Sequence, residues 1–141
     1  MIWKTFIAIF ITVALFFMLN KRFNLIKKIY AATHSVEGNY ETISLAKVKE
    51  LSDRNMGIVL DVRNPHELSS DGFIKGMINI PLSELEARMN ELDKNKTYIT
   101  FCAVGGRSLK AAAILSQNGF KNVLNAEDGM KNWPYDREFS N

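Results

Sequence analysis

From Phe6 to Leu19 only Thr12 interrupts an otherwise unbroken apolar run. As a helix, the stretch from Ile2 to Leu19 would reach about 27 Å, close to the roughly 30 Å of a bilayer's hydrocarbon core. It has no polar face to leave in water, which argues against a core helix. Trp3 and Lys4 stand where side chains meet lipid headgroups. Ala31 and Ala32 offer small residues for leader cleavage, but Lys21, Arg22, Lys27 and Lys28 intervene, the wrong flank for a cleavage region. The pattern predicts an uncleaved transmembrane anchor over 1–20 and a basic juxtamembrane stalk over 21–36.

From residue 37 short apolar runs alternate with helical spacing. Strands are predicted at Tyr40–Ser44, Gly57–Val62, Met77–Ile80, Thr97–Phe101 and Val123–Asn125. Between them lie a helix over Leu45–Leu51 and one from a Ser83 cap to Glu91, with Glu86 at the capping-box position. A third helix spans Ser108–Asn118, stopped by Gly119, and a short helical turn covers Met130–Trp133. Such alternation predicts an α/β domain over 37–139, a parallel sheet flanked by helices. Ligand sites in such sheets lie beyond the carboxyl ends of the strands. Cys102 directly follows one of those ends.

Composition is that of a globular chain: 141 residues, 47% hydrophobic and 23% charged, with formal net charge +3. Five of the 18 basic residues precede residue 29, where there is no acid, leaving 13 basic against 15 acidic. A folded domain with that balance lacks the basic stripe of a nucleic-acid binder. The basic residues after the apolar run place residues 20–141 in the cytoplasm under the positive-inside rule, as a single-pass protein of the cell membrane.

Cys102 is the chain's one cysteine, which rules out an intrachain disulfide and a thiolate-rich metal site. It opens the run Cys102-Ala103-Val104-Gly105-Gly106-Arg107-Ser108. Gly105 and Gly106 let successive backbone N–H groups curl inward into an anion nest. A helix starting near Arg107 adds its positive end, and the guanidinium of Arg107 can bind an oxyanion through two N–H groups. Negative charge is thereby favoured at Cys102, the setting of a reactive thiolate. A thiolate attacks without a general base, and His34 and His66 read as surface histidines. No metal or cofactor is called for.

Four segments then resemble the rhodanese-like domain family. Leu60 to Glu67 is similar to its D-V-R-x-x-x-E strand and turn. Gly72 to Pro81 resembles G-H-I-x-G-A-x-N-I-P, with Phe73 in place of the histidine and Met77 in place of the alanine. Cys102 to Ser108 resembles the C-x-x-G-x-R-S loop. Asp128-Gly129 through Trp133 is partly similar to the closing G-G-x-x-x-W, with Asp128 at its first glycine. The resemblance implies a five-stranded parallel sheet and a sulfurtransferase. Cys102 would take a sulfane sulfur from an anionic donor, thiosulfate or a persulfide, and pass it to a thiol or cyanide. The N–H groups of Ala103, Val104, Gly105, Gly106 and Arg107 would hold that sulfur, with Asp61 and Arg63 in support as an ion pair. The alternatives are a membrane-tethered, non-catalytic module and a cysteine phosphatase or arsenate reductase. The latter use a longer C-x5-R loop.

Overall fold

The computed structural model describes residues 38–139. The expected anchor and stalk lie outside the described residues. Among the described residues no helix is long and apolar enough to cross a membrane.

Five strands, β1 (Glu41–Ile43), β2 (Ile58–Asp61), β3 (Ile78–Asn79), β4 (Thr97–Phe101) and β5 (Asn122–Ala126), form one sheet in the order β1-β5-β4-β2-β3. Every pairing is parallel. Helices α1 (Leu45–Asp53), α2 (Pro65–Asp71), α3 (Leu85–Arg88) and α4 (Gly106–Gln117) connect them, with short 3-10 turns at Leu82–Glu84, Met89–Glu91 and Met130–Asn132.

The central strand β4 shows why the sequence takes this form. Alternate side chains point to opposite faces of a strand, and both faces here are covered. Tyr98 and Cys102 join Leu60, Ala111, Ala112 and Leu115 on the α4 side. Ile99 and Phe101 join Val48 of α1, Met130 and Trp133 on the other. The Phe101 and Trp133 rings meet edge to face with centroids 5.6 Å apart. The alanines of α4 let the helix approach the sheet closely, and its end at Gly119 has φ +85°, the left-handed stop that glycine tolerates.

Two local readings need correction. The stretch from Ser83 to Glu91 is not one helix but α3 between two 3-10 turns. The Leu82 amide donates to the Val62 carbonyl at 3.1 Å, so the turn begins early and Ser83 lies inside it rather than capping. For helix α2 the sequence marks only a start, at Pro65, and not its extent. Its seven residues bury only Leu68, so no hydrophobic period announces it. Pro65 begins it, and the Glu67 carboxylate accepts the Asn64 amide at 3.0 Å.

Candidate functional site

Strands β2 and β4 are neighbours, and their carboxyl ends present the Asp61 and Cys102 segments side by side. The Val62 amide donates to the Phe101 carbonyl at 2.9 Å. Beyond Phe101 the chain folds into a loop that leads straight into α4. Cys102 and Ala103 are buried, while Val104 at the tip is 60% exposed. Gly105 sits at φ +92°, a left-handed conformation that favours glycine. There its N–H donates to Cys102 Sγ at 3.1 Å. Its carbonyl accepts the Ser108 hydroxyl at 2.9 Å and the Leu109 amide at 3.1 Å, which fixes the loop to the first turn of α4. The amides of that first turn have no acceptor within the helix, and their dipoles make this end positive.

The other side of the loop rests on the turn after β5. The Met130 and Lys131 amides donate to the carbonyls of Cys102 and Ala103 at 2.9 and 3.1 Å. Gly129 makes this contact possible, because a Cβ there would stand 2.2 Å from the Cys102 carbonyl oxygen. Asp128 accepts the Gly129 amide at 2.8 Å and the Asn132 side chain at 2.6 Å. Both contacts tie the carboxylate to its own turn.

Asp61 and Arg63 are almost wholly buried, at 1% and 0% exposure. Arg63 Nη2 and Nε donate to the Asp61 carboxylate at 2.7 and 3.0 Å, and Nη2 also donates to the Gly72 carbonyl at 2.8 Å. A buried charge needs such partners. The pair ties the end of β2 to the end of α2. Asn79 extends the tie by donating to the carbonyls of Asp61 and Arg63 at 2.8 and 2.9 Å. Phe73 bridges to the carboxyl-terminal segment, its amide donating to the Glu138 carbonyl at 2.8 Å.

Arg107 departs from the expectation of a guanidinium open to an oxyanion. Its Nη1 and Nη2 donate to the two carboxylate oxygens of Glu67, each at 2.6 Å. Forty residues separate the partners in sequence. The hydrogen bonds from Arg107 hold the Glu67 carboxyl at about 2, well below its ordinary value, and those to Glu67 push the arginine up in turn. Of the loop amides, Gly105 alone among the described residues bonds Sγ directly.

Glu67, Asn79 and Gly129 have no site role legible in the sequence alone. Glu67 carries a local signal, since Asn64-Pro65 followed by an acid at the third helical position is a helix start. Gly129 stands in the segment resembling the closing motif.

Residues 44–135 match the Rhodanese-like domain family along its sequence pattern. The chain belongs to the rhodanese-like domain family. Within it, a Bacillus subtilis protein described as a putative sulfur carrier, YrkF, is 39% identical over 92 residues, covering 64% of this chain and 49% of that one. A sulfurtransferase of Allochromatium vinosum is 32% identical over 85 residues, 60% of this chain and 78% of that one. This chain therefore spans about half the length of the first relative and most of the second. A rhodanese-related protein from Thermoplasma volcanium superposes with a TM-score of 0.61 at 40% identity, over 67% of this chain and 90% of that structure. The rhodanese-like fold places Cys102 at the carboxyl end of the central strand, facing the start of α4.

Proposed function

We propose that the chain is a sulfurtransferase in which Cys102 carries sulfane sulfur as a persulfide. The observation that carries this reading is the Gly105 N–H aimed at Sγ within a loop whose next turn supplies further unpaired amides. Cys102 as thiolate attacks the outer sulfur of a donor. A sulfur–sulfur bond forms to Cys102 while the donor's own bond breaks, and its electron pair leaves on a thiolate or on sulfite. A thiol acceptor then attacks the outer sulfur and releases the Cys102 thiolate. Electrons balance at each step without a cofactor. The loop and helix amides supply donors for negative charge on the transferring sulfur. Relatives named sulfurtransferase or sulfur carrier support the same chemistry.

Incubating the chain with a donor, then measuring the intact mass before and after an added thiol, tests this. One sulfur should appear on Cys102 and disappear with the acceptor. A folded chain that never gains sulfur would be a binding module instead. We also propose that residues 1–20 hold the domain to the cell membrane on its cytoplasmic side.

A further inference from the structure

The charges around the loop are already matched before any donor arrives. Arg63 is consumed by Asp61, and Arg107, the only charged residue among those from Cys102 to Arg107, is held by both carboxylate oxygens of Glu67. The turn that packs on the loop is itself acidic, with Glu127 and Asp128 preceding Gly129, and its exposed cation is Lys131. The Glu127 carbonyl oxygen would lie 3.1 Å from a Cβ at Gly105, so this turn is a direct neighbour of the loop. The residues at the loop tip, Ala103 and Val104, carry no charge. Two arginines offset two carboxylates, and a Cys102 thiolate leaves the centre net negative.

We propose that Glu67 acts as a positioning residue that neutralises Arg107 and so selects the sulfur donor, favouring monoanionic or neutral persulfides, R–S–SH, over the thiosulfate dianion. This rests on the sulfur-transfer reading above. A persulfide asks the loop to accommodate one negative charge at most, which the Gly105 amide and the first turn of α4 can meet. Thiosulfate brings a second charge, and the cation that would receive it is already paired at 2.6 Å. Bringing an unmatched charge out of water is costly. With either donor the outer sulfur is transferred to Cys102 and the remainder leaves as RS⁻ or sulfite, so the difference lies in binding and not in bond making.

The test uses the full chain and follows sulfur loading of Cys102 by intact mass, with subsaturating cysteine persulfide and thiosulfate as the probes. Because the two donors differ in inherent reactivity, the quantity compared is the ratio of their loading rates across variants. Glu67→Gln releases Arg107 and should shift that ratio roughly tenfold toward thiosulfate, the size of one charge-assisted contact of about 1.4 kcal/mol. Val104→Lys adds a cation at the exposed tip without touching the clamp, and should shift it the same way even if Glu67→Gln folds poorly. An unchanged ratio in folded Glu67→Gln, or in Val104→Lys where Glu67→Gln does not fold, would overturn the proposal while leaving sulfur transfer at Cys102 intact. Folded wild-type chain that loads sulfur from neither donor would overturn the sulfur-transfer reading itself, and the selectivity with it.

Discussion

Cys102 and Gly129 are two residues whose replacement separates chemistry from architecture. Cys102→Ser should abolish sulfur loading yet cost only about 1 kcal/mol in stability, because a hydroxyl can still accept the Gly105 N–H. Chemical denaturation alongside the loading assay checks both halves. Gly129→Ala should do the reverse damage. Its methyl would press 2.2 Å from the Cys102 carbonyl oxygen and 2.4 Å from the Ala103 carbonyl carbon, atoms that cannot step aside without moving the loop. A loss of about 3 kcal/mol is expected, at the upper end for overpacking, with a lowered melting temperature as the readout. The requirement at Gly129 is one of close approach and not of backbone angle, for its φ of −151° is ordinary extended chain. No feature of the sequence beyond the glycine in its motif announces which carbonyls it must admit.

At the scale of elements, what could be read from the sequence was what lies contiguous along the chain. Strand β4, the Cys102 loop and α4 follow one another from Thr97 to Gln117, so apolar run, glycines and alanine-rich helix appear as one legible unit. Helix α2 was legible only at its Pro65 start, since Leu68 is its one buried residue and no hydrophobic period follows. The clamp between α2 and α4 was not legible either, because its two ends are far apart in sequence and Arg107 alone reads as an oxyanion ligand. The clamp also makes a pH prediction. The carboxyl of Glu67 is held at about 2 in the fold against an ordinary 4.5. A depressed value means that the pair stabilises the fold above pH about 4.5 and that this support drains away as the pH falls toward 2. Arg107 is 35% exposed, so solvent screening trims the contribution to on the order of 2 kcal/mol. Urea melts of the wild type and Glu67→Gln should differ by that amount at pH 7 and converge near pH 2.

For the whole molecule, the apolar amino-terminal run and the folded domain make separate claims. The domain's class follows from strands alternating with helices, and the parallel order β1-β5-β4-β2-β3 has that class. The strand order itself is not written in any periodicity, because the inner strands β2 and β4 bury both faces and carry no mark of their neighbours. The predicted anchor rests on the run to Leu19 and on Lys21, Arg22, Lys27 and Lys28 behind it. Mass spectrometry of a membrane fraction should recover the intact amino-terminal peptide, and a mature form starting near residue 32 would count against it.

The complete burial of Cys102 sets how such a thiol can be observed. With no exposed surface, it should be silent to bulky colorimetric thiol reagents in the native chain and count as one only after unfolding. Small alkylating agents would report how often the loop parts, so their rates should climb with mild denaturant. A sulfur carried on Cys102 would start from the same burial, out of reach of stray reductants for as long as the loop stays closed.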